Sequence, residues 1–175
     1  MGEDAEVLSE GKVLGGGVLI FVTCGTHTMQ FNRLLEMVDS LIEKKKIAGK
    51  VVAQIGNSTY NPKHYEFYKF VDDKKMAELT SKADIIISHA GAGSVITALS
   101  HRKKLIVVPR LKKYGEHVDD HQLDLAAELE RGGKLLAAKS KEELAVAISK
   151  MKSFKPKLGS SKALMENLGK YIANL

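Results

Sequence analysis

Three short segments of this chain place small, polar and imidazole-bearing residues where an apolar run gives out. In the first, Ile85-Ile-Ile-Ser-His-Ala-Gly-Ala-Gly-Ser94, a buried-strand pattern ends at His89, and Gly91, Gly93 and Ser94 open a segment of helical character. Backbone N–H groups left uncovered at a helix start can cradle an anion such as a diphosphate, and Ser94 adds a hydroxyl donor. The competing explanation is steric: the glycines would relieve crowding between the helix start and the sheet. The second segment, Gly115-Glu-His-Val-Asp-Asp-His-Gln122, follows the next apolar run. Its adjacent donors and acceptors suit neighbouring sugar hydroxyls, while Asp119 or Asp120 can also cap a helix. The third, Thr23-Cys-Gly-Thr-His27, follows the first apolar run. The first two segments together imply a site for a nucleotide-sugar rather than for a bare nucleotide.

Other chemistries fit less well. His117 and His121 stand four residues apart and could face one zinc ion, but no third ligand accompanies them and the H-E-x-x-H glutamate is missing. No metal and no cofactor are therefore expected. The turn at Gly25-Thr26-His27 lacks a G-x-G-x-x-G fingerprint, and the second apolar run ends in Gly56-Asn57 without the acid that holds a dinucleotide ribose. No P-loop, no Ser–His–Asp triad and no glycosidase carboxylate pair can be assembled.

The elements that must position these segments follow from periodicity. Val18–Thr23, Val51–Ile55, Glu66–Val71, Ile85–Ser88, Leu105–Val108 and Leu135–Ala137 read as strands. Between them, Phe31–Lys45, Asp73–Lys82, a segment from Gly91, Asp119–Arg131 and Lys141–Met151 carry helical spacing. Asp72 or Asp73, and Ser140, serve as N-caps, and Gly132-Gly133 is a stop. Strands alternating with helices predict an α/β fold, a doubly wound, Rossmann-like parallel sheet. Ligands of such sheets sit at the carboxyl ends of the strands, where all three polar segments lie.

The 175 residues and 44% hydrophobic content suit one domain, residues 18–151. Residues 1–17, acidic and ending in three glycines, are expected to be a flexible extension without signal-peptide layout. Residues 152–175 carry a helix with Leu164, Leu168, Tyr171, Ile172 and Leu175 on one stripe. That stripe packs either on its own domain or on a second protein. The single Cys24 points to a reducing, cytoplasmic compartment. The net charge of +6 permits anionic partners, but aromatic residues are 6% of the chain with no Trp, which argues against nucleic acid. Arg110-Leu-Lys-Lys113 is the basic cluster beside the candidate site.

Phe21-Val-Thr-Cys-Gly-Thr-His27, Gln30-Phe31, Ser88-His-Ala-Gly-Ala-Gly-Ser94, Pro109-Arg110 and Gly115–Gln122 together resemble the glycosyltransferase family 28 C-terminal domain. Within it they are similar to the small donor-binding subunits of split glycosyltransferases, of the dolichol-linked chitobiose and bacterial exopolysaccharide types. The resemblance implies the C-terminal, donor half of a GT-B enzyme. A membrane-anchored partner subunit would supply the acceptor half and hold a lipid-linked acceptor, so this chain would work at the cytosolic face of a membrane and be active only in the complex. The reaction implied is inverting transfer of a hexose, N-acetylglucosamine first, from a UDP-sugar to a polyprenyl- or dolichyl-diphosphate-linked acceptor. The alternative is a non-catalytic accessory subunit that enhances a membrane-bound glycosyltransferase.

By position, the resemblance assigns Gly25, Thr26 and His27 to the nucleotide-sugar cleft and Phe70 and Val71 to the uracil. It assigns His89, Gly91, Gly93 and Ser94 to the diphosphate. Glu116, Asp119, Asp120, His121 and Gln122 fall to the donor sugar. The catalytic base is expected on the partner, with His27 as the candidate on this chain. Thr97 stands where single-chain relatives carry a glutamate for the ribose, so a weaker ribose contact is implied there.

Overall fold

A computed structural model of the chain describes residues 17–173. The extension expected over residues 1–17, apart from Gly17, the stripe residue Leu175 and the side chains of Tyr171 and Ile172 lie outside the described residues. Six parallel strands form one sheet in the order β3-β2-β1-β4-β5-β6. They are β1 (Leu19–Thr23), β2 (Lys50–Gln54), β3 (Glu66–Tyr68), β4 (Ile85–His89), β5 (Lys104–Val108) and β6 (Leu136–Ala137). The helices are α1 (Asn32–Glu43), α2 (Asp73–Lys82), α3 (Ala92–Ser100), α4 (His121–Arg131), α5 (Lys141–Lys150) and α6 (Ser161–Ala173). This is the doubly wound α/β sheet that the alternation predicts.

Strand period decides which helix covers which face. Ile20, Val22, Ile85, Ile87, Ile106 and Val108 point to one side, where α1 supplies Leu34, Leu35 and Val38 and α5 supplies Leu144 and Ala147. The intervening Phe21, Ile86, Leu105 and Val107 point to the other, against Leu79 of α2, Val95 and Leu99 of α3, and Leu125 and Leu129 of α4. Strands apolar on every position are what a parallel sheet covered on both faces requires. Leu164 and Leu168 of α6 are buried in this second layer, beside α3.

β3 and α4 are each shorter than periodicity suggests, β3 at its end and α4 at its start. β3 pairs with β2 only through Val52↔Glu66 to Gln54↔Tyr68, so the chain leaves the sheet before Phe70 and Val71. α4 begins at His121, because Asp119 Oδ1 accepts the His121 N–H and Asp120 Oδ1 accepts the Lys112 N–H. The N-caps at Asp72 and Ser140 fall where expected, each accepting an N–H three residues on.

The chain runs from β1 outward to β3, then returns to β4 beside β1, so the sheet's switch point lies between β1 and β4. The loop after β2 is held from behind by Asp39 of α1, whose side chain is 3% exposed. Asp39 accepts from the Tyr60 hydroxyl and the Lys63 N–H on Oδ2 and meets the His64 N–H and Nδ1 on Oδ1. Burial raises this carboxyl's pKa, but the hydrogen bonds outweigh it and hold the group below the usual carboxylate range. A depressed folded pKa gives stability that is complete above the ordinary carboxylate value, about 3.9, and lost as pH falls through the folded value. Asp39→Asn is therefore expected to lose about 2–3 kcal/mol at neutral pH by urea unfolding. The gap from wild type should close in acid; a constant gap from pH 7 to pH 2 would remove the ionic account.

Candidate functional site

Carboxyl-terminal to β1 and β4, at the switch point, lies a cleft of about 530 Å³. Its walls come from the turn after β1, the end of β4, the first two turns of α3, one side of α2 and the loop before α4. That volume is within the usual range for small-molecule sites.

His89 lines the cleft from the end of β4. The ring stands between two glycines: a Cβ on Gly25 would lie 2.4 Å from His89 Nε2, and one on Gly91 would lie 2.1 Å from Cε1. Gly25 also has φ +73°, a left-handed conformation that glycine adopts without penalty. His89 Nδ1 accepts the Gly91 N–H at 3.0 Å, so the neutral ring carries its hydrogen on Nε2 and donates to Ser94 Oγ at 3.1 Å. The Ser94 hydroxyl hydrogen is thereby left to point at a ligand. Burial, and then the nearby Arg110 charge, push the His89 pKa down to about 4. At neutral pH the imidazole is an uncharged donor.

The two glycines of the Gly-Ala-Gly turn thus differ in purpose. Gly91 makes room for a side chain of the protein, as the steric explanation has it. A Cβ on Gly93 would meet nothing within 4 Å. Gly91 is the N-cap of α3 and no side chain caps that helix. The residues that open it, Ala92, Gly93 and Ser94, line the cleft, and N–H groups at a helix start carry partial positive charge.

Arg110 is the site's hidden cation. It is 1% exposed and lies immediately behind the wall. Nη1 donates to the carbonyls of Met29, Gln30 and Glu116, and Nη2 donates to that of Cys24. The guanidinium stacks 4.7 Å from the Phe31 ring centroid. Burial pushes the Cys24 thiol up to about 12, so this cysteine is a neutral packing residue and not a nucleophile.

Of the residues singled out in the sequence, Gly25, Thr26 and His27 line the cleft, as do His89, Gly91, Gly93, Ser94, Thr97 and Gln122. Gln122 does so as a brace: its Oε1 accepts from Ala90 and Arg110 N–H groups, tying the ends of β4 and β5 together. The others are not in the wall. Phe70 is 44% exposed on the loop beyond β3, and Val71 packs towards α2 and the sheet, because pairing stops at Tyr68. Glu116 is wholly buried; its Oε1 and Oε2 take Arg33 Nε and Nη2, each at 2.8 Å, and Oε2 also takes the Leu111 N–H. It holds the fold and has no oxygen to spare for a sugar. Asp119 and Asp120 cap loop and helix N–H groups, and His121 is exposed at the start of α4. Among the described residues no group of His, Cys, Asp and Glu is arranged to hold a metal ion.

Residues to which no binding role was assigned complete the wall. Thr23 donates to Gln54 Oε1, and Gln54 Nε2 donates to Gly25 O, which braces the turn after β1. A polar residue ending each of two buried strands was the available signal. Met76 and Thr80 of α2 also line the cleft. His117 lies against His27, ring centroids 4.9 Å apart.

Two expectations follow. Gly91→Ala should lower thermal stability by the equivalent of about 1–3 kcal/mol, because the His89 ring must move. Gly93→Ala should leave it unchanged or raise it by up to about 1 kcal/mol, as a helical Gly→Ala change without a clash does; equal losses in both would contradict the packing. In addition, His89 should stay neutral in imidazole NMR titrations until about pH 4. The unfolded chain takes up this proton near pH 6.5, so stability should fall with pH between those two values, and His89→Gln should remove that part of the slope.

The fold and the sequence motifs recur in known proteins. The family model described as the glycosyltransferase family 28 C-terminal domain matches residues 19–172. The UDP-N-acetylglucosamine transferase subunit ALG13 of Homo sapiens is 35% identical over 66% of this chain and 10% of its own length. Its namesake in Yarrowia lipolytica is 32% identical over 69% of this chain and 65% of its own length. A UDP-N-acetylglucosamine--N-acetylmuramyl-(pentapeptide) pyrophosphoryl-undecaprenol N-acetylglucosamine transferase of Prochlorococcus marinus is 31% identical over 95% of this chain and 49% of its own length. The chain thus spans from a tenth to just under two thirds of these relatives. Among solved structures, an NMR structure of ALG13 superposes with a TM-score of 0.58 at 18% identity, covering 87% of this chain and 95% of that one. MurG of Acinetobacter baumannii superposes at 0.53 and 18% identity, covering 89% of this chain and 50% of its own. The sheet is therefore that of GT-B glycosyltransferases, and with the model matching nearly all of the described residues, this chain belongs to the glycosyltransferase family 28 C-terminal domain family.

Proposed function

We propose that this chain is the donor-binding subunit of a two-component, inverting glycosyltransferase that uses UDP-N-acetylglucosamine. The observation that carries this is the cleft at the β1/β4 switch point, where the uncapped start of α3, the free hydrogen of Ser94 and the neutral donor His89 converge in front of buried Arg110. Such a set suits a diphosphate whose charge grows as its bond to the sugar breaks. In the transfer, an acceptor hydroxyl attacks C1 of the sugar and the C1–O bond to the β-phosphate breaks. Its electron pair leaves with UDP, and the hydroxyl proton passes to a base. No carboxylate lines the described cleft, which supports a base on the partner subunit.

The names of the relatives support the sugar and the subunit character, and the Prochlorococcus protein's name supports a polyprenyl-diphosphate-linked acceptor. Among the described residues no helix is long and apolar enough to cross a membrane, so in this proposal the membrane-anchored partner brings the lipid-linked acceptor to the cleft. The nucleoside end, between Thr97 and the Met76–Thr80 side of α2, offers the ribose hydroxyl groups and not a carboxylate.

Calorimetric titration is expected to show binding of UDP-N-acetylglucosamine in preference to UDP-glucose and UDP-galactose. Ser94→Ala should weaken it by roughly tenfold, the worth of one hydrogen bond to a charged group. Transfer should need the partner, and Ser94→Ala should lower it in the complex. Undiminished complex activity with a donor-blind subunit would instead make this chain an accessory.

A further inference from the structure

Three histidines line the cleft, one from each of its loops: His27 after β1, His89 at the end of β4 and His117 after β5. All three are held in one way. Nδ1 accepts the backbone N–H two residues on: Met29 at 3.1 Å, Gly91 at 3.0 Å and Asp119 at 3.3 Å. Each neutral ring is thereby set with its hydrogen on Nε2. His89 spends that hydrogen on Ser94. His27 and His117 have no hydrogen-bond partner for Nε2 among the described residues, and their rings lie 4.9 Å apart with a 32° tilt.

None of the residues of the wall is Asp, Glu, Lys or Arg. Arg110 is behind the wall and occupied by carbonyl groups, and Arg33 is spent on the Glu116 carboxylate. A diphosphate entering here brings two negative charges and meets neutral donors only. The charge that is missing can come from a proton.

The two rings are not equivalent acceptors of that proton. His27 faces Arg110, His117 and His89, all cationic or potentially so, and burial followed by Arg110 and His117 lowers its pKa. No carboxylate compensates it. His117 faces His27 on one side, but on the other its Nδ1 is 3.1 Å from Asp119 Oδ1 as well as 3.3 Å from the Asp119 N–H. A proton on Nδ1 therefore finds a carboxylate in place, and Nε2–H still serves the ligand. His121 is the other titratable group acting on Asp119.

We propose that His27 and His117 form a proton-linked diphosphate clamp, in which His117, backed by Asp119, takes up a proton when the nucleoside-diphosphate sugar binds and returns it on release. This rests on the donor-binding function above. His117 touches the ligand; Asp119 acts through it as a positioning residue.

The test is calorimetric titration of UDP-N-acetylglucosamine into the full chain, in buffers of one pH and different ionisation enthalpies. A sugar-nucleotide is suited because its diphosphate diester keeps a constant charge where histidine titrates. Wild type is expected to take up between a fraction of a proton and one proton at pH 7, and to bind more weakly as pH rises from about 6 to 8, by at most about tenfold per pH unit. His117→Gln retains an N–H donor but cannot titrate: it should bind more weakly than wild type at pH 6 and approach it at pH 8, with an enthalpy independent of buffer and a flattened pH profile. Asp119→Asn should reduce the uptake while keeping the binding. Buffer-independent enthalpy in wild type, or unchanged uptake in His117→Gln, would overturn the clamp and leave donor binding standing. Absence of any binding by wild type would overturn donor binding, and the clamp with it.

Discussion

Arg110 is the charge around which this end of the molecule is assembled. Its guanidinium is removed from water, and a buried cation is tolerable only when acceptors meet most of its donors; Nη1 and Nη2 are met, while Nε has no partner among the described residues. Those acceptors are carbonyls of Cys24, Met29 and Gln30 from the loop after β1, and of Glu116 from the loop after β5. Two loops that lie far apart in sequence must therefore take up complementary shapes. Arg33 and Glu116 repeat the constraint a few ångströms away. Arg33 grips both carboxylate oxygens and also donates to Pro109 and Lys139 carbonyls, joining α1 to the end of β5 and the segment before α5. Removal of either charge would strand the other in the interior, so the loops bordering the cleft are held more tightly than exposed loops ordinarily are.

This arrangement separates the site's electrostatics from its surface chemistry. A lysine or arginine in the wall would bind a diphosphate directly, but a long side chain has to be ordered on each binding event. Here the cation is ordered in advance and presents its field through a layer of neutral groups. That field also explains why the histidines in front of it resist protonation: Arg110 follows burial among the causes lowering His27 and His89. The imidazoles then serve as fixed N–H donors, each oriented by a backbone amide, much as the opening amides of α3 are oriented by the helix. Preorganised dipoles of this kind need little rearrangement when charge develops on a leaving group.

The sheet was legible because its period is unmistakable: Ile20, Phe21 and Val22 alternate between two cores, and so do Ile85 to Ile87. Gly25, His89 and Ser94 were legible as site residues because polar groups at the ends of buried strands have few other reasons to be there. What local pattern could not reveal was which polar residues face a ligand and which face the protein. Glu116 sits in a segment rich in carboxylates and imidazoles that looks sugar-directed, yet its partner Arg33 is 83 residues away in sequence. Gln122 lines the cleft, but its buried bonds to Ala90 and Arg110 amides depend on the spacing of β4 and β5. Phe70 and Val71 look strand-like because aromatic and β-branched residues favour strands, whereas the extent of β3 is decided by how much of β2 is available to pair.

The two-glycine turn joins these strands of argument. A phosphate cradle needs open backbone, and a packed core needs none, so a single turn cannot serve both with the same residue. Gly91 is used up by the His89 ring and Gly93 is left open. His89 in turn fills the space that Gly25 vacates across the switch point, which locks the turn after β1 to the start of α3. The ring is therefore a spacer before it is a donor: it fixes the separation between the β1 loop and the helix amides. That separation sets the width of the cleft at this point, so a smaller residue at position 89 would alter the cleft's dimensions as well as remove the hydrogen bond to Ser94.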